Sequence, residues 1–194
     1  MPKPPIVAAL VVIGALPAVA AAQSHSGHQS PYQDLVGRTV KALSDDETAA
    51  LLAGEGMGFA LAAELNGVPG PKHVLELRSE LQLDPSQVAR IEGIGDAMSQ
   101  EAVKLGRALV DAEASLDRAF AHGDAPARHV RELIRAAGEL RTQLRATHLM
   151  AHLETAEVLT GKQIERYGVL RGYAAAGPDR ESSPDADRVE RSPR

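Results

Sequence analysis

Between Ile91 and Ala119 the apolar and small side chains recur in alternating steps of four and three: Ile91, Gly95, Met98, Ala102, Leu105, Leu109, Ala112, Leu116 and Ala119. That spacing holds a stripe on one face of an α-helix and is the seam of a coiled coil. A matching stripe follows after Gly123 and Asp124, at Val130, Leu133, Ala137, Leu140, Leu144, Thr147 and Ala151. The pattern predicts long helices over 85–121 and 125–158. Joined by so short a tip, they should pack antiparallel.

Shorter elements flank this hairpin. In Ser44-Asp45-Asp46-Glu47 the Ser44 oxygen can accept a free backbone N–H while Glu47 reaches back to the cap. The helix it opens is expected to run to about Leu65, where Asn66-Gly67 stops it. Val68-Pro69-Gly70-Pro71 is a tight corner, and Pro71 suits the first turn of a helix over 71–82. Asp84-Pro85-Ser86-Gln87 repeats the capping logic ahead of the first long helix. Thr160-Gly161-Lys162-Gln163 opens a final short helix that ends near Gly172.

The two ends of the chain read differently. Lys3, an apolar run from Ile6 to Val19 and the small residues Ala18 to Ala22 follow the order of a cleavable secretory signal peptide. The run is shorter than the ~20 residues a membrane span needs. Ser24 to Pro31 is polar and punctuated, as in a flexible arm. The last stretch is rich in Pro, Ser, Asp and Arg and has too few apolar residues to offset the entropy of ordering. The expected organisation is a signal peptide at 1–22, an arm at 23–43, a helical domain at 44–172 and a disordered tail at 173–194. The expected location is the periplasm, with no stable membrane insertion once the signal is removed.

Composition narrows the chemistry. Of 194 residues, 44% are hydrophobic but only 3% aromatic, with no Trp. Such a core rests on Leu, Ala, Val and Ile, which favours helix on helix over a β-sandwich. The net charge of −5 gives no basic patch for nucleic acid. With no cysteine, disulfides, thiolate zinc sites and a Cys nucleophile are excluded. Gly54-Glu55-Gly56-Met57-Gly58 follows no strand and is not read as a nucleotide loop. No Ser/His/Asp arrangement and no HExxH stands out, so no enzyme is expected.

Two segments are alike: Leu83-Asp84-Pro85-Ser86-Gln87 and Leu159-Thr160-Gly161-Lys162-Gln163. Each is a leucine, a capping oxygen and a Gln at the third helical position. Taken alone they are two well-made helix starts. Bracketing a helical hairpin behind a signal peptide, in a Cys-free chain, they resemble the paired Leu-Thr-x-x-Gln motifs of the Spy/CpxP family and its periplasmic heavy-metal resistance and sensing relatives. The second copy matches as Leu159-Thr160-x-x-Gln163; the first has Asp84 in place of Thr. The resemblance covers 44–172. It implies an all-α fold with a long antiparallel hairpin and short flanking helices, assembled as an antiparallel homodimer. It also implies a non-enzymatic accessory role in envelope stress or metal resistance. The partners would be unfolded or envelope proteins, transition-metal ions, or both. A structural dimer, or a regulator of a membrane sensor with no small ligand, is the alternative.

His148 and His152 are the sharpest constellation. Four apart on one helix, they share a face, and neutral imidazole suits Zn, Cu, Ni or Co. The competing reading is a hydrated polar face beside the seam. Two ligands are too few for a tight site. The metal-sensing relatives draw a glutamate from their first helix, which points to Glu64 as the completing ligand. Met57, seven residues earlier on the same helix and so on the same face, is a lesser candidate and reads more simply as core packing. His73 follows the Pro71 corner and has no fixed place in this scheme. His25 and His28 resemble a metal-binding arm, although a mobile pair is as readily only solvated.

Overall fold

A computed structural model of the chain describes residues 30–123 and 125–173. The expected signal peptide, the arm histidines His25 and His28, and the tail beyond Tyr173 lie outside the described residues. Among those described, the regular elements are all helical: α1 (Asp45–Ala53), α2 (Leu61–Glu64), α3 (Pro71–Glu76), α4 (Pro85–Ala121), α5 (Ala127–Val158) and α6 (Gly161–Leu170). One turn of 3-10 helix, Gln33–Leu35, precedes them. None of the described helices is long and apolar enough to cross a membrane.

The long pair α4 and α5 is the expected hairpin, and its seams face inward. Ile91, Ala102, Leu105, Leu109 and Ala119 are buried on α4, and Ala137, Leu144 and Ala151 on α5. Buried apolar side chains fall into two clusters. One gathers Leu51, Ala102, Leu105, Leu109, Ala137 and Leu144; the other gathers Val74, Leu81, Ile91, Val158, Leu159 and Tyr167. The first cluster also takes in Val40 and Leu43, at 4% and 3% exposure, from the stretch expected to be a flexible arm. Their spacing of three sits within polar sequence, so the periodicity is too short to read. The Lys41 backbone N–H adds a bond to Asp117 Oδ2 at 2.7 Å.

Two helix ends are corrected: α3 stops at Glu76 and does not run to 82, and α1 also stops early. The helix that starts at Ser44 does not continue to Leu65. Its capping box forms as expected, with Ser44 and Glu47 serving each other, but it ends after Ala53. Gly54 adopts a left-handed φ of 69°. There a side chain would meet Val103 Cγ2 at 2.9 Å and the Ser99 carbonyl at 3.1 Å, so α4 passes too close for any residue but Gly. The chain then loops through Met57 and Gly58, both at positive φ, before α2 begins. A second close approach lies at Gly106 on α4, where an added Cβ would stand 2.1 Å from the Leu51 carbonyl oxygen.

The twin motifs dock on each other. In each copy the capping box is complete: Asp84 and Thr160 accept the N–H of Gln87 and Gln163, and each Gln side chain accepts the N–H of its own cap. Asp therefore replaces Thr without loss, because only an acceptor oxygen is required. The Gln amides then cross. Gln87 Nε2 donates to Gln163 Oε1 at 2.9 Å, and Gln163 Nε2 donates back to Gln87 Oε1 at 3.0 Å. Each Nε2 gives its second proton to a backbone carbonyl, Val158 for Gln87 and Leu81 for Gln163. Glutamate could cap as well but has no donor for the crossing, which is the physical reason for Gln at this position. The pair ties the starts of α4 and α6 together and so sets where α6 points.

Candidate functional site

α6 carries Tyr167 inward, fully buried, onto Glu64 at the end of α2. Its hydroxyl lies 2.8 Å from Oε1 and 2.9 Å from Oε2 of a side chain whose residue is only 7% exposed. The chain beyond α6 returns to the same carboxylate. Gly172 takes a left-handed φ of 73°, the Gly172 N–H bonds Val169 O, and the Tyr173 N–H bonds Gly168 O at 2.8 Å. This is a complete Schellman turn. It folds Arg171 and Tyr173 back over Glu64. Arg171 Nε and Nη2 each stand 3.1 Å from Oε1, and the Tyr173 hydroxyl donates to it at 2.9 Å.

Two imidazoles complete the surroundings. His73 Nδ1, from α3, lies 3.2 Å from Oε1, and His152 Nδ1, from α5, lies 4.0 Å from Oε2. The tight corner seats His152. Its Nδ1 donates to the Val68 carbonyl at 2.8 Å, and its Nε2 lies against Gly70, where a Cβ would stand 2.5 Å away. His148, one turn earlier, is 3% exposed. Its Nδ1 donates to Leu144 O at 2.9 Å, and its ring sits 5.7 Å from that of Phe59. With Nδ1 carrying the proton, Nε2 is left as an acceptor, and it has no hydrogen-bond partner among the described residues. In metal sites a ligating His commonly binds through one nitrogen while its other N–H is held by a carbonyl or carboxylate.

Burial pushes the Glu64 carboxyl upward, yet its pKa lies below the ordinary value because hydrogen bonds from Tyr167 and Tyr173 and the charges of His73 and Arg171 outweigh the desolvation. Burial foremost, then the hydrogen bond to Glu64 and its charge, push the Tyr167 phenol strongly up, so it remains a donor. A buried carboxylate is tolerated here because it is paired and fully hydrogen-bonded.

The fold thus brings Glu64 and His152 together and adds His73, whose place spacing left open. His148 is close along α5 but faces the loop before α2. Met57 is not part of the cluster: the break at Gly54 removes the shared face, and Met57 is 40% exposed in that loop. Tyr167, Arg171 and Tyr173 escaped the sequence reading, and Tyr173 falls beyond the boundary drawn at 172. The residue types suit a transition metal, but the arrangement as it stands does not: among the described residues no three His, Asp or Glu side chains converge as a ready coordination shell. Oε1 is already taken by Arg171 and Tyr173.

In comparisons with known proteins the chain matches no family profile, no curated protein and no solved structure. The likeness to the Spy/CpxP family therefore rests on the twin motifs themselves.

Proposed function

We propose that this chain is a non-enzymatic periplasmic protein of the Spy/CpxP type, dimeric, and that its ligand is a transition-metal ion taken at Glu64, His148 and His152, with His73 as a further donor. The observation that carries this reading is a buried carboxylate with one imidazole 3.2 Å and another 4.0 Å away, delivered by three different helices. The orphaned Nε2 of the buried His148 supports it. Zn, Cu, Ni and Co suit such N/O donors. A bound ion would supply positive charge to the carboxylate and link α2 to α5.

Calorimetric titration of the mature protein with each of these ions tests the proposal. His148→Ala with His152→Ala should weaken binding strongly, and Glu64→Gln less. Affinity should fall from about pH 7.5 toward about 5.5, because ligation requires neutral imidazole and protons compete with the metal for it. If the double His change leaves affinity untouched, the site does not exist.

A second reading has its own observation. Leu61 on α2, Leu65 just past its end, and Met150 and Leu153 on α5 are 53%, 59%, 48% and 49% exposed. Exposed large apolar side chains on the site-bearing helices suit the capture of unfolded chains. Suppression of client aggregation without ATP tests it, and failure across several clients sinks it.

A further inference from the structure

Four helices are followed by a glycine in a left-handed turn: Gly54 after α1, Gly67 after α2, Gly123 after α4 and Gly172 after α6. The chain from α3 to α4 makes the same turn without one. There Gln82 sits at a φ of 52°. Its N–H bonds Ser79 O at 3.1 Å and the Leu83 N–H bonds Arg78 O at 3.0 Å, again the Schellman pair. A Cβ makes that conformation costly, and Gly would remove the cost. The Gln82 side chain is exposed, so no packing inside the fold offsets the strain. Among the described residues Met57 is the other non-glycine at positive φ, and it lies in the loop before α2. A residue held against its backbone preference points to a use for its side chain.

Gln82 lines a cleft of about 330 Å³, at the lower end of the sizes found for small-molecule sites. Two segments wall it. Glu80, Leu81 and Gln82 come from the turn before α4, and Lys162, Gln163 and Arg166 from α6. The Gln163 amide is taken up by the crossed pair and by Leu81 O. Leu81 gives the cleft an apolar surface. One wall therefore carries a carboxylate and the Gln82 amide, and the other carries two cations. Lys162 and Arg166 stand four apart on α6 and share a face. Among the described residues none of Glu80, Lys162 and Arg166 enters an ion pair. Opposite charges that line one cleft without pairing suit a ligand that carries both signs. We propose that this cleft binds a small zwitterion of the α-amino acid class. Its carboxylate lies on Lys162 and Arg166, its ammonium on Glu80, and the Gln82 amide bonds the same ligand. A plain anion would meet the Glu80 charge, and a plain cation would meet two charges of its own sign. The cleft shares no residue with the Glu64 cluster, so it is independent of the metal reading.

The test follows the backbone amide signals of the mature protein by NMR during titration with L-leucine, whose side chain can lie on Leu81. Two analogues separate the charges: isocaproate lacks the ammonium, and isoamylamine lacks the carboxylate. Leucine should shift the Leu81, Gln82, Lys162 and Gln163 amides saturably, and each analogue should bind several-fold more weakly. Glu80→Gln should weaken leucine several-fold without weakening isocaproate. Lys162→Gln with Arg166→Gln should weaken leucine and isocaproate together. Gln82→Gly tests the strain directly: its urea midpoint should rise while leucine binding falls. Circular dichroism checks that each variant keeps its helix content, and the two analogues on the unaltered protein carry the test if a variant misfolds. Absence of saturable shifts with leucine overturns the proposal. Equal affinity for leucine and isocaproate also overturns it, since the cleft would then read only an anion. Leucine binding that survives Gln82→Gly unchanged, or a urea midpoint that does not rise, overturns the part assigned to Gln82.

Discussion

The crossed Gln87–Gln163 pair makes a quantitative prediction. Changing Gln163 to Ala removes its acceptance of the Thr160 N–H at 2.9 Å, its donation to Leu81 O at 3.2 Å and both bonds of the amide pair. Changing Gln87 to Ala removes the matching set at Asp84 and Val158 and the same amide pair. A net ~0.5–1 kcal/mol per hydrogen bond puts each single change at about 2–4 kcal/mol. The amide pair can be lost only once, so the double change should fall short of the sum by about 1–2 kcal/mol. Urea unfolding followed by circular dichroism gives all four free energies, and equal m-values would show that the unfolded states are comparable. Additivity within ~0.3–0.5 kcal/mol would mean that the two motifs are independent helix caps.

Two further outcomes follow from the packing and the buried charge. Gly106→Ala would place a Cβ 2.1 Å from the Leu51 carbonyl oxygen, on backbone that cannot rotate away, so α1 must shift from α4. Such overpacking costs typically ~1–3 kcal/mol or more, and a urea midpoint equal to that of the parent would show that α1 does not pack there. Glu64 is held below the ordinary glutamate value of 4.5, so its contribution to stability is complete above that value and is lost as pH falls through the lower folded one. Unfolding free energy measured from about pH 6 to about pH 3 should fall more steeply for the parent than for Glu64→Gln, and equal slopes would refute the pairing.

The caps and the seams were legible in the sequence because both are local. Ser44 with Glu47, Asp84 with Gln87 and Thr160 with Gln163 act across three residues, and the three-and-four stripes of α4 and α5 depend on helix geometry alone. The starts of α1, α4 and α6 and the hairpin follow from them. The end of α1 was not legible in this way. Glycine at 54 lowers helix propensity by only ~1 kcal/mol; that this position must be Gly is a tertiary fact, because Val103 and Ser99 of α4 lie within 3.1 Å of where a Cβ would stand. The site was partly legible for the same reason: His148 and His152 share a face by spacing, whereas Glu64 rested on likeness to other proteins. Which groups meet Glu64 was a tertiary decision. Tyr167, Arg171 and Tyr173 lie 103, 107 and 109 residues away along the chain. They reach it because the Gln pair aims α6 and the Schellman turn folds its end back. His152 is set by a corner 84 residues earlier, where Val68 accepts its proton and Gly70 leaves room for its ring. Periodicity reports which face a residue occupies; a burial that joins segments so far apart is fixed only when the helices pack.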